Sequence, residues 1–237
     1  MDAWSESVRN PATAMGKICA ILPLKAFDSA KSRLSSVLSA AERAGLARRM
    51  AVHVLETLAA VRQIDRIVVA GQEPTHAALA AAFGCDFLAD DPALDVSGNV
   101  ARAVRRIADE AETVLYLAAD LPLLSVEDIR ELLARGRNGV TICRALRDGG
   151  TNALLARPPA AARFRFGGGS AKRHAAAARA AGWPARIVDL PAFQRDIDEP
   201  SDLEWLRQRD EIHGTIECVN GPGRGALASF GDVIDGP

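Results

Sequence analysis

Neither sign of charge is in surplus in this chain of 237 residues: 29 Lys and Arg face 30 Asp and Glu, for a formal charge of −1. With no global field to recruit nucleic acid or an anionic membrane, an anionic ligand has to be met by local groups. No stretch approaches the roughly 18 consecutive apolar residues of a membrane span, and residues 1–16 lack the apolar core of a signal peptide, so the expected location is the cytoplasm. Cys19, Cys85, Cys143 and Cys218 are too dispersed for a zinc framework, and the first three lie in apolar, strand-like segments that suit buried reduced thiols. His53, His76, His174 and His213 show no metal-ligand spacing. There is no GxxxxGK[ST], no G-x-S-x-G and no HExxH, which argues against P-loop NTPases, α/β hydrolases and zincins. No internal repeat is present.

What the chain does have is 49% hydrophobic residues with 25% charged, enough apolar surface for a sizeable core. Short apolar runs alternate with longer stretches of helical period, the pattern of βαβ units in a mostly parallel sheet covered on both faces. Ile18 to Leu24 reads as the first strand. Ser39-Ala-Ala-Glu42 has capping-box spacing before a helix that repeats Leu46, Met50, Val54 and Leu58 and should end near Val61. Arg66 to Ala70 and Asp86 to Leu88 read as strands around an Ala-rich helix begun by Pro74, and Val100 to Ala111 has helical spacing. Thr113 to Ala118 is a central strand, followed by a helix capped at Ser125. Strand Val140 to Cys143, a loop over Asp148 to Asn152 and an apolar segment from Ala153 to Ala156 come next. The remainder is a helix entered through Gly167 to Ser170, strand Arg186 to Val188 and a helix started by Pro200. Residues 1–16 and 211–237 lack such patterning, so the expected organisation is one domain over 17–210 between two weakly ordered tails.

Three groups of residues could carry chemistry. The loop after the first strand holds Lys25, Lys31 and Arg33; ligands of α/β sheets bind at such loops, and these cations suit phosphates. Asp120 ends the central strand, and the extended Asp196-Ile197-Asp198 puts two carboxylates on one face. Together these three could hold Mg²⁺ through oxygen, although Asp198 or Glu199 could instead cap the Pro200 helix. The third group is Gly149-Gly150-Thr151-Asn152 with Gly167-Gly168-Gly169-Ser170, where glycines admit close backbone approach and Ser170 could offer amides and a hydroxyl to an anion. Simple turn duty explains these loops equally well. His174 could bind a phosphate or carboxylate, or be an ordinary surface histidine.

The order of motifs is more specific than any one of them. Leu22-Pro23-Leu24-Lys25 with Ala30-Lys31-Ser32-Arg33-Leu34, then Ala119-Asp120-Leu121-Pro122-Leu123, Gly150-Thr151-Asn152-Ala153-Leu154-Leu155, Phe166-Gly167 with Ser170 and His174, and Asp196-Ile197-Asp198 follow one another. This succession, over about residues 17 to 207, resembles the 2-phospho-L-lactate guanylyltransferase family of coenzyme F420 biosynthesis. The resemblance implies a single GT-A-like (Rossmann-like) nucleotidyltransferase domain of the α/β class, with a mostly parallel mixed sheet. It implies transfer of GMP from GTP to 2-phospho-L-lactate, phosphoenolpyruvate or 3-phospho-D-glycerate, with release of diphosphate and hand-over to a downstream F420 transferase. By the same resemblance, Asp120, Asp196 and Asp198 hold Mg²⁺, and Lys25, Lys31 and Arg33 meet the nucleotide phosphates. Thr151, Gly167 and Ser170 hold the acid, with Asn152 and His174 beside them, while Asn99 serves the nucleotide. The family's Leu before that Asn is Gly98 in Ser97-Gly98-Asn99. A molybdopterin or sugar-phosphate nucleotidyltransferase, or a non-catalytic nucleotide-binding module, are the alternatives. The first two would show a Gly-Gly-x-Ser-x-Arg-like first loop where this chain has Leu-Lys-Ala-Phe-Asp-Ser, and the third would tolerate loss of the Asp-x-Asp pair.

Overall fold

The computed structural model describes residues 17–213, apart from residue 73 and the side chains of 209–213. The stretches 1–16 and 214–237, and with them Cys218 and nearly all of the expected C-terminal tail, lie outside the described residues.

Strands β1 (Ile18–Pro23) and β4 (Thr113–Leu117) are apolar and buried almost throughout, which only a central place in a sheet covered on both faces provides. They pair in parallel, and the seven strands run in the order β3-β2-β1-β4-β6-β5-β7, with β2 (Arg66–Gly71), β3 (Asp86–Ala89), β5 (Gly139–Arg144), β6 (Thr151–Arg157) and β7 (Ala185–Val188). Strand β6 is antiparallel to both neighbours and all other pairings are parallel. The edge strands β3 and β7 are the short, half-exposed ones. Strand order reverses between β1 and β4, so their carboxyl ends open the crevice in which doubly wound sheets bind ligands.

Helices α1 (Ala40–Ala59), α2 (Pro74–Ala82) and α4 (Val126–Arg135) cover one face; α3 (Val96–Ile107) and α5 (Ser170–Ala180) cover the other. The Ser39–Glu42 capping box fixes where α1 begins, worth about 1 kcal/mol. Burial of Leu46, Met50, Val54 and Leu58, all 2% exposed or less, contributes roughly 1.5–3 kcal/mol each and decides which face turns inward. Helix α6 (Pro200–His213) packs Leu203 and Leu206 against Leu46 and Met50 of α1.

Two elements depart from the sequence expectation. Helix α3 starts at Val96, four residues before Val100, because the Asp95 carboxylate accepts from the Gly98 N–H and caps it there. Thr151 and Asn152 open strand β6 instead of lying in a loop: β5 turns back through a hairpin closed by Ala145 N–H donating to Gly150 O.

Candidate active site

At the crevice between β1 and β4, Asp120 follows β4 by three residues, and Asp196 and Asp198 lie in the extended segment ahead of α6. Carboxylate oxygens of the three lie within 4.8 Å of one another. Lys31 enters from the β1–α1 loop, and its Nζ donates to Asp120 Oδ2 at 2.5 Å and to Asp198 Oδ1 at 2.8 Å. Its backbone is left-handed, φ +55°, which costs a side-chain-bearing residue roughly 1–2 kcal/mol. That turn buries the Lys31 side chain to 7% exposure while Ser32 and Arg33 remain exposed. Lys25 is exposed with no side-chain partner among the described residues, and Arg33 approaches only Glu199, at 3.8 Å. Of the three expected loop cations, Lys31 is locked into the carboxylates, Arg33 makes one loose, exposed ion pair and Lys25 stands exposed at the mouth.

Electrostatics separates the carboxylates. Burial, with the charges of Asp120 and Asp198, pushes Asp196 up to about 6. Burial also opposes ionisation of Asp198, but Lys31 and Arg147 outweigh it and hold Asp198 down at about 2. Burial disfavours the Lys31 ammonium too, and Asp120 and Asp198 overcome this to keep it charged. Arg147, on the β5–β6 hairpin, reaches Asp198 at 2.8 Å, Glu199 at 3.0 Å and Asp196 at 3.5 Å. Sequence reading passed over Arg147, since only the folded hairpin brings it onto the Asp-x-Asp segment. Glu199 stands at the N-cap position of α6 through its backbone carbonyl, and Asp202 Oδ2 reaches back to accept from the N–H groups of Asp198 and Glu199, which leaves the Asp198 side chain to the cluster.

Asn152 ties the two halves of the cluster together. Its carbonyl accepts from Ala118 N–H at the end of β4, and its buried amide donates to Phe193 O, in the turn ahead of Asp196. It acts here by aligning the Asp-x-Asp segment with Asp120.

The glycine loops dock on one another at the same end of the sheet. Gly169 N–H donates to Asp148 O, Ala171 N–H to Gly149 O and Ser170 N–H to Gly167 O. Ser170 was expected to offer amides and a hydroxyl to an anion, but its N–H is bound and its hydroxyl donates to Thr151 Oγ1 at 2.9 Å, with the residue 1% exposed. The N–H groups of Gly167 and Gly168 have no partner among the described residues. Gly167 has φ +108°, a conformation that excludes side-chain-bearing residues, and Gly169, at φ +70°, enters α5. His174 is no surface histidine: it is 1% exposed, bonded to Thr151 and Arg165, and burial followed by the charge of Arg173 lowers it to about 4. Asn99 is 4% exposed and its amide accepts from Asp91 N–H and donates to Asp91 O and Leu94 O, so it shapes the loop before α3. In the Ser97-Gly98-Asn99 stretch, Ser97 Oγ accepts from Phe166 N–H and links α3 to the loop carrying Gly167. A Cβ at Gly98 would stand 3.0 Å from Leu94 Cβ, so the first turn of α3 leaves no room for the family's Leu without a shift.

No helix among the described residues is long and apolar enough to cross a membrane. Cys19 and Cys143 are buried and Cys85 half-buried, and burial raises all three thiols, with Cys143 at about 12, so none is poised as a nucleophile.

Comparison with known proteins bears on the same region. Among solved structures, the fold is similar to a putative nucleotide-diphospho-sugar transferase from Desulfovibrio desulfuricans G20 (TM-score 0.72, 19% identity, covering 92% of this chain and 96% of that one). It is also similar to a CMP:2-keto-3-deoxy-manno-octonic acid synthetase complexed with CTP (TM-score 0.54, 15% identity, 83% and 99%). At those identities the likeness establishes the fold alone. By sequence, the chain is 38% identical over 190 residues to the phosphoenolpyruvate guanylyltransferase of Roseiflexus castenholzii, covering 80% of this chain and 88% of the relative. It is 32% identical over 187 residues to the 2-phospho-L-lactate guanylyltransferase of Methanothermobacter thermautotrophicus, covering 79% and 82%. The family model described as "Guanylyl transferase CofC like" matches residues 18–215, which takes in every site residue above. The chain belongs to this CofC-like guanylyl transferase family and is a GTP-dependent nucleotidyltransferase.

Proposed function

We propose that the enzyme joins GMP from GTP to the phosphate of a small phosphorylated carboxylic acid and releases diphosphate. The observation that carries this reading is the meeting of Asp120, Asp196 and Asp198 with Lys31 at the switch between β1 and β4, within a family-matched chain. Phosphoenolpyruvate is the favoured acid, because relatives at 38% and 39% identity are named for it; 2-phospho-L-lactate and 3-phospho-D-glycerate are the competing acceptors. The product would pass to the next transferase of coenzyme F420 assembly.

An acceptor phosphate oxygen attacks the α-phosphorus in line, forming the new P–O bond as the bond to the β-phosphate oxygen breaks. The acceptor is already largely a dianion near neutral pH, so no protein base has to take a proton, and no side chain acts as nucleophile. The chain's work is positioning and electrostatics. Lys25 and Arg33, exposed at the mouth, meet the triphosphate, and Lys31 supplies a buried positive charge beside the carboxylates. Thr151 and the free Gly167 and Gly168 amides face the acid. Asp120, Asp196 and Asp198 suit Mg²⁺, being three oxygen donors within mutual reach, with Lys31 already standing as a cation between two of them. When bound, the ion supplies charge neutralisation and alignment of the phosphates.

The test is incubation with GTP, Mg²⁺ and each of the three acids separately, following diphosphate release. Release with phosphoenolpyruvate that stops on chelation is expected. Release with another acid alone would reassign the acceptor, and release with none would overturn the proposal.

A further inference from the structure

Inside the α5 face, four groups form a hydrogen-bonded line whose proton positions follow from the chemistry of its first member. Arg165 supplies a backbone N–H, which can only donate, and it points at His174 Nε2 at 2.7 Å. Nε2 therefore carries a lone pair, and in a neutral ring the proton must sit on Nδ1. Nδ1 lies 3.0 Å from Thr151 Oγ1, so the imidazole donates to the threonine. Ser170 Oγ donates to that same oxygen at 2.9 Å. With both acceptor positions of Thr151 Oγ1 filled, its own proton has to leave the line. The ring itself stands edge-on against the stacked pair of Phe164 and Phe166, at centroid distances of 6.2 and 5.1 Å and interplanar angles of 77° and 83°. Burial, then the neighbouring Arg173 charge, lowers His174 to about 4 and keeps the ring neutral at physiological pH.

We infer that His174 is a positioning residue: it never touches the phosphorylated acid, but fixes Thr151 as a hydrogen-bond donor aimed at that acid's oxygen atoms. This rests on the reading that Thr151 faces the acid. An anion needs donors, and beside an unprotonated Nδ1 the threonine hydroxyl would turn its proton back into the ring. His174 removes that freedom, and the Arg165 N–H in turn removes the freedom of His174 to take the other tautomer. The line also runs to the loop carrying Gly167, since Arg165 and Phe166 immediately precede it.

Two variants separate the roles. Asn at 174 places its amide nitrogen where Nδ1 stood and keeps the donor to Thr151; Gln reaches where Nε2 stood, keeps an acceptor for Arg165 and leaves Thr151 without its donor. With acid and GTP varied in turn, H174Q is expected to raise KM for the acid about tenfold with KM for GTP unchanged, H174N to restore most of the loss, and T151V to match H174Q. Independently of activity, nitrogen NMR of the wild-type chain should show His174 as the neutral Nδ1–H tautomer from pH 8 to 5.5. A charged ring or an Nε2–H tautomer would overturn the inference even if every variant failed to fold. If T151V raises KM for the acid and H174Q does not, the positioning role fails alone. If T151V leaves that KM unchanged, the placement of the acid fails and the inference falls with it.

Discussion

Asp196 and Asp198 are two residues apart in sequence and face the same cluster, yet they contribute to stability with opposite sign. Asp196 is held at about 6, above the ordinary carboxylate value near 4. The folded chain thus keeps a proton that the unfolded chain releases, a contribution present below about pH 4 and lost as pH rises through 6. At pH 7 its charge opposes folding. Asp198 is held at about 2 by Lys31 and Arg147, so its contribution is present above about pH 4 and is lost only as pH falls through 2. Asp196→Asn should therefore raise the melting temperature at pH 7 in chelator, and Asp198→Asn should lower it by leaving Lys31 and Arg147 short of a partner. Both should nearly abolish turnover, as should Asp120→Asn, with a loss on the order of several kcal/mol of transition-state stabilisation. Melting curves beside turnover measurements decide the matter; shifts of the same sign in the two variants would break the electrostatic account.

On the proposed reading, the β1–α1 loop and the docked glycine loops divide the substrates between them. Lys25 and Arg33 are exposed and lightly held, so changing either to Ala should leave the fold intact and raise KM for GTP, with little effect on KM for the acid. Lys31 belongs to another class: its removal exposes three carboxylates to one another, so Lys31→Ala should lower kcat as well as stability. On the other loop pair, Gly167→Val meets both a φ of +108° and the guanidinium of Arg173, which lies 3.4 Å from where the new Cβ would stand. It should raise KM for the acid more than Ser170→Ala does, for which the loss of one buried hydrogen bond sets roughly 1–3 kcal/mol. Steady-state kinetics with each substrate varied in turn checks this division, which fails if the Gly167 variant acts on GTP alone. The elements themselves were legible to different degrees. Helix α1 and strands β1 and β4 stand out because unbroken apolar runs and four-residue spacing follow directly from burial. The antiparallel β6 does not, since a buried strand has the same apolar pattern in either direction, and only pairing with β4 and β5 sets its sense.

For the molecule as a whole, the ligands should be a major source of stability, because the crevice concentrates charge that they neutralise. GTP with Mg²⁺ should raise the melting temperature, by an amount equivalent to about 2.7 kcal/mol at a hundredfold excess over Kd. ATP should do so less, and its kcat/KM should be far below that of GTP, as guanylyl transfer requires. Equal shifts and equal kcat/KM for the two nucleotides would leave a nucleotidyltransferase without guanine preference.

Sequence by itself determined the alternation of strands and helices, the places of the caps at Ser39 and Ser125, and the chemical character of the site: cations after the first strand, carboxylates after the central strand and late in the chain. These are local properties, set by burial period, by hydrogen-bonding valence and by which side chains carry charge. The tertiary structure decided what those groups do to one another. It locked Lys31 between Asp120 and Asp198, brought Arg147 over the hairpin onto Asp198, turned Asp202 back onto the Asp198 N–H and buried His174 behind Thr151. Those partners are 23 to 167 residues apart, save for Asp202, whose carboxylate reaches back four residues. Charge coupling and proton placement depend on distances of a few ångströms, and for residues so far apart in the chain only the assembled sheet sets them.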